Sequence, residues 1–141
     1  MHNETGPKTP NLEGADALIE WFGRWPSFHD AEIISLELRR ASSSFMRIHT
    51  WNLTGAIKPD GFYVLDKHVI VAFEMVDISD LELVQFSKQN VISGLGLEPI
   101  ENHPDGATIK ITLGCCYGLC GQISCRKLRL KFAPGEPSSN E

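Results

Sequence analysis

Between residues 34 and 132 the chain is a series of short runs in which apolar and polar residues alternate, separated by turn signals. That rhythm restricts the fold more than any other feature. Successive side chains of a strand point to opposite faces, so alternation gives one dry and one wet face, the pattern of an antiparallel sheet packed on one side. The clearest run is 108–113, where Ile109, Ile111 and Leu113 face in while Thr108, Lys110 and Thr112 face out. Ile34, Leu36 and Leu38 alternate in the same way with Ser35, Glu37 and Arg39. Ser27 and Asp30 have the spacing of a capping box, which would open a helix here, but the alternation favours a strand.

Further strands are expected over 45–53, 62–65, 68–76, 81–86, 91–97 and 122–132, with turns at 41–44, at Pro59-Asp60-Gly61, at Asp66-Lys67 and at 102–106. The last strand has a phase break. Ile123 and Cys125 share one parity and Leu128, Leu130 and Phe132 the other, so a bulge near Arg126-Lys127 is expected to keep both sets inside. One helix is expected over 15–22, with Ala17, Leu18, Trp21 and Phe22 on one face and Gly23 as its left-handed stop. The fold class is therefore α+β, mainly β. An N-terminal helix precedes a curved antiparallel sheet, sandwich or open barrel of seven to eight strands.

A chain of 141 residues with 42% hydrophobic and 22% charged residues suits one globular domain, expected over 11–133 between flexible tails at 1–10 and 134–141. The longest purely aliphatic or aromatic run is 69–73, and residues 1–4 carry no basic region. No membrane span or secretory signal is read, and the expected location is the cytoplasm. A formal charge of −5 opposes nucleic-acid binding, which needs a basic surface, and suits steering of a basic partner.

A histidine beside a carboxylate, as at His29-Asp30, could serve a metal or act as a base. The structural alternative is a backbone bond at the loop-to-strand corner that seats Trp25 and Phe28 in the core, and it is preferred. Cys115, Cys116, Cys120 and Cys125 are read as reduced thiols. Cys116, Cys120 and Cys125 could approach one another as zinc ligands, but small buried side chains are the expectation. Gly94-Leu95-Gly96 is too short for a dinucleotide loop, and neither a nucleophile elbow nor a phosphate loop is present. No catalytic residue, metal or cofactor is assigned. Glu74, Asp77, Asp80 and Glu82 form an acidic group that could dock a basic partner. Lys127, Arg129 and Lys131 form a basic row read as charge protection of a sheet edge.

The stretch Phe22-Gly23-Arg24-Trp25-Pro26-Ser27-Phe28-His29-Asp30-Ala31-Glu32-Ile33 resembles the opening signature of the bacterial immunity protein 50 family. Similar blocks follow in Phe86, Gln89-Asn90-Val91-Ile92-Ser93-Gly94-Leu95, and in Tyr117-Gly118 with residues 121–125. The resemblance implies a small cytosolic antidote of a polymorphic-toxin system that binds a cognate toxin domain. It brings no catalytic residues. Trp25, Pro26, Phe28, His29 and Asp30 read as architecture, because a contact surface must vary with the toxin. The alternatives are an adaptor or subunit with an unrelated protein partner, or a small metal-binding protein.

Overall fold

The computed structural model describes residues 12–138. The expected tail at 1–10 lies outside them. Helix α1 (Ala15–Phe22) precedes six strands: β1 (Glu32–Glu37), β2 (Ser44–Ile57), β3 (Tyr63–Val84), β4 (Val91–Pro99), β5 (Ile109–Tyr117) and β6 (Cys120–Pro134). All strand pairs are antiparallel, in the order β1-β2-β3-β6-β5-β4. Glu32 meets Val91 to close the sheet on itself. Ile33 N–H donates to Asn90 O at 2.8 Å and Ile92 N–H to Ala31 O at 3.0 Å across that seam. No helix among the described residues is long and apolar enough to cross a membrane.

The expected seven to eight strands are six, because three of them are one. Residues 62–65, 68–76 and 81–86 were separated at Asp66-Lys67 and at Asp77–Asp80, but β3 runs through both points. Lys67 and Asp77 take positive φ, 52° and 54°, inside the strand. The register slips opposite Thr50/Asn52 and again between Ile78 and Asp80. Polar residues that tolerate the left-handed region make bulges as readily as turns, and here they bend a long strand around the core.

Helix α1 has the expected bounds. Gly23 is left-handed (φ 102°) and its N–H caps Ile19 O at 2.8 Å. At the other end Gly14 stands where the chain crosses β6, and a Cβ there would collide with Leu130 O. Leu130 N–H in turn donates to Glu13 O at 2.9 Å. Leu18 and Phe22 enter the core, and Trp21 packs on Phe132 of β6 with ring centroids 5.8 Å apart.

Ile111 and Leu113 are buried as expected, and Ile109 packs at the core margin. The β1 face is shifted. Ile33 pairs with Ile48 and Ser35 with Arg47, leaving Ile34 as an extra residue in a bulge. Ile33 is therefore buried, Leu36 only partly, and Leu38, beyond the strand end, is 51% exposed. In β6 both parities are buried, Ile123 and Cys125 with Leu128 and Leu130. The register, however, runs unbroken past Arg126-Lys127, with Val76 opposite Lys127 and Ile78 opposite Cys125. The expected bulge in β6 is replaced by the left-handed Asp77 in β3, facing the phase break, and by the β3 register shift just after it.

Candidate functional site: an acidic cleft on the outer face

Register fixes which side chains share the outside of the sheet. Asp80 lies opposite Ser124, Ser124 opposite Lys110, and Lys110 opposite Glu98, a row crossing β3, β6, β5 and β4. The next row runs from Glu82 through Gln122 and Thr112 to Gly96. Residues 100–108, between β4 and β5, fold back beside this face. Ile100 N–H donates to Thr108 O at 2.8 Å, and His103 reaches Asp80 Oδ2 with Nε2 at 2.6 Å. His103 Nδ1 accepts the Asp105 N–H at 3.0 Å, so Nε2 carries the proton and donates to Asp80. The result is an open cleft of about 640 Å³ whose charged lining is Asp80, Glu82, Glu98, Glu101 and Lys110, with His103 at its side. Four carboxylates against one lysine leave it at −3 with the histidine neutral. Lys110 Nζ stands 3.7 Å from Glu98, and Gln122 Nε2 donates to Glu82 at 3.1 Å.

The acidic group picked out in the sequence divides in two. Asp80 and Glu82 line the cleft. Glu74 and Asp77 face basic side chains of β6 instead. Glu74 accepts two bonds from Arg129, at 2.8 and 3.0 Å, and one from Ser43 Oγ at 2.7 Å. Those bonds, the Arg129 pair foremost, hold its carboxyl down at about 2. Asp77 receives Arg126 Nε at 2.8 Å. The basic row is thus not edge protection, since β6 lies between β3 and β5, and Arg129 serves as the counter-charge of Glu74. Glu98 and Glu101, which complete the cleft, were missed. Their only sequence signal is a pair of carboxylates flanking Pro99-Ile100, and only the register puts them across from Asp80 and Glu82.

The Trp25 to Asp30 segment lies at the sheet seam rather than in the cleft. Phe28 is fully buried against Phe73, with centroids 6.0 Å apart, and Pro26 is buried too. Trp25 was expected in the core. It is half-buried, packing edge-on to Phe28 at 5.5 Å. His29 Nδ1 donates to Ser93 O at 3.0 Å, the backbone bond expected of a corner histidine. Asp30 uses its N–H, bonded to Ile92 O at 3.0 Å, while its carboxylate is exposed and 3.5 Å from His29 Nε2. Phe28 and Asp30 both take positive φ, 58° and 63°, which turns the chain sharply into β1.

Residues 14–132 match the family described as Immunity protein 50. The chain belongs to the Immunity protein 50 family. The match takes in α1 and all six strands, except for the last two residues of β6. No curated protein and no solved structure matches the chain. The geometry explains why two separated family-like blocks go together. Asn90, 4% exposed, accepts the N–H groups of Ser87 and Leu119 on Oδ1, both at 2.9 Å, and donates from Nδ2 to Ser87 O at 2.8 Å. Gly118 (φ 82°) lies so close that a Cβ would collide with Gln89 O and Asn90 Oδ1.

In this member of the Immunity protein 50 family the cysteines do not follow the reading of four reduced thiols. Cys115 and Cys120 form a disulfide across the β5–β6 turn, with Cα atoms 4.9 Å apart. The turn at Gly118 brings the two strand ends together. Cys116, of opposite parity to Cys115, is exposed, and Cys125 is buried, its thiol pushed up to about 11 by desolvation. Among the described residues no group of three or more His, Cys, Asp or Glu is placed to hold a metal ion. Another cluster escaped the sequence reading. His49 Nε2 lies 3.1 Å from His68 Nδ1, the rings stack at 5.2 Å, and Trp51 stands 5.1 Å from His49. Burial first, then His68, lowers the pKa of His49.

Proposed function

We infer that this chain is a non-catalytic, cofactor-free antidote that acts in the cytoplasm as one domain over 11–133. It neutralises a cognate bacterial toxin domain by binding it. The observation that carries this reading is membership of the Immunity protein 50 family over residues 14–132. A closed sheet supports it, because a self-bonded scaffold gives a rigid surface on which a partner can dock with little ordering cost. The outer-face cleft, with Asp80 and Glu82, is the contact surface, and Glu74 and Asp77 lie farther along β3, already matched by Arg129 and Arg126. A standard interface takes about 800 Å² from each partner, which the cleft and its surrounding strands can supply.

The test is co-expression with the toxin domain encoded beside this chain, followed by binding kinetics at two salt concentrations. Survival of the cells and an isolable complex are expected. Raising the salt should slow association more than it changes dissociation, because charge steering acts on encounter. Cells that die beside intact antidote, with no complex formed, refute the reading.

A further inference from the structure

The β5–β6 ladder ends at Leu113 opposite Gly121. Beyond that pair the two strand ends turn to different neighbours. Cys115 lies opposite Ile92 and Tyr117 opposite Val91 on β4, whereas Cys120 lies opposite Val84 on β3. The Cys115–Cys120 disulfide is therefore a covalent tie between the β4–β5 and β3–β6 sides at this end of the sheet. It also encloses Leu119, whose side chain is buried in the core and whose N–H is held by Asn90 Oδ1. The two bonded cysteines are unequally placed. Cys115 is exposed and Cys120 is 4% exposed, while the free Cys116, next in the chain to Cys115, is exposed too. A disulfide opens when a thiolate reaches one of its sulfurs, so exposure decides which of the two is attacked.

We propose that the Cys115–Cys120 pair is a reversible modification site for a low-molecular-weight thiol, entered through Cys115. In the first step the external thiolate bonds to Cys115 Sγ and the Cys115–Cys120 bond breaks. Its electron pair leaves on Cys120 Sγ, which takes up a proton. The product is a mixed disulfide on Cys115 and a free thiol on Cys120. A second external thiolate then attacks the outer sulfur of the mixed disulfide and releases Cys115, which is protonated in turn. Two external thiols are thus oxidised to their own disulfide for one protein disulfide reduced, and an excess of that external disulfide drives the same steps backwards. Cys125 takes no part, because it is buried and forms little thiolate. With the tie open, Leu119 is held by Asn90 and by packing alone. The β5–β6 turn then opens more readily, while the strand centres keep their pairing. The exchange does not depend on the antidote reading.

The full chain is equilibrated with reduced and oxidised glutathione at a series of ratios, quenched in acid, alkylated, and read by intact mass and peptide mapping. Excess oxidised glutathione should leave Cys115 and Cys120 joined, and excess reduced glutathione should free both in the folded chain. An adduct of one glutathione should map to Cys115 and accumulate there in Cys120→Ser. Cys116→Ser, at an exposed position, should change the rate of reduction by less than about twofold. Amide exchange of Leu119 should quicken about tenfold on reduction, while that of Ile111 and Val71 in the strand centres stays within about twofold. The site is overturned by an adduct on Cys120, by reduction that is lost with Cys116→Ser, or by a pair that yields to glutathione only when the chain unfolds. A pair that stays reduced in excess oxidised glutathione overturns it as well. Equal Leu119 exchange in the two states overturns the link to the turn. All of this is read on the chain without its toxin, so it stands apart from the survival of cells.

Discussion

Replacing Asn90 by alanine removes one side chain that three backbone groups depend on, and the structure gives the size of the loss. Leu119 is buried, so its N–H, now bonded to Asn90 Oδ1 at 2.9 Å, would be left without an acceptor and without water. Such an orphaned donor costs about 1–3 kcal/mol. The two bonds to Ser87, at 2.9 and 2.8 Å, involve an exposed residue whose groups water can reach, so they add only about 0.5–1 kcal/mol together. The expected destabilisation is about 1.5–4 kcal/mol. For a domain of this size that lowers the melting temperature by about 10 °C. The measurement is a thermal melt of Asn90→Ala beside Gln89→Ala, an exposed neighbour expected to stay within about 0.5 kcal/mol of the parent. Hydrogen exchange should show the Leu119 amide losing protection before the strand centres do. If Asn90→Ala melts within about 2 °C of the parent, or Leu119 keeps its full protection, the β5–β6 turn is held by something other than Asn90 and the reasoning fails.

At the seam, Phe28→Ala should destabilise by about 3–5 kcal/mol, half-buried Trp25→Ala by clearly less, and Asp30→Asn by less than about 0.5 kcal/mol, since Asn tolerates the left-handed backbone and the carboxylate bonds no backbone group; urea midpoints of the three variants give the ranking. Glu74 has a folded pKa of about 2, below its ordinary 4.5, so its contribution is present in full above pH 4.5 and is lost as the pH falls toward 2. Glu74→Gln should therefore flatten the loss of stability across that window, and a double-mutant cycle with Arg129→Met at pH 7 should show a favourable coupling that shrinks as salt is raised. His49 is also lowered, which for a base means that burial disfavours its charged form: its folded pKa lies below 6.5, the unfolded chain takes up the proton first, and stability present above pH 6.5 falls as the pH drops through and below it. His49→Gln should remove that part of the slope in urea midpoints measured from pH 7.5 to 5.5, and an unchanged slope would show that the His49–His68 pair does not sense pH.

Where neighbours along the chain settle the conformation, the sequence alone determined the outcome. Helix α1 needed only its apolar face and a glycine able to go left-handed at its end, and β5 only strict alternation, so both were readable from a few adjacent residues. The strand count was not readable, because Lys67 and Asp77 look the same in sequence whether they turn the chain or bulge it. The choice fell to strands β2 and β6, which pair with β3 on both sides of each bulge. The same holds for the inward face of β1, reset by one extra residue at Ile34. For the candidate site, Asp80 and Glu82 were legible as carboxylates near a strand end, but their partition from Glu74 and Asp77 was not. Arg129 stands 55 residues from Glu74, and His103 stands 23 from Asp80. Which charges are neutralised and which remain open to a partner depends on Coulomb and hydrogen-bond contacts that act over a few ångströms. Only the register of the closed sheet brings those groups within such range.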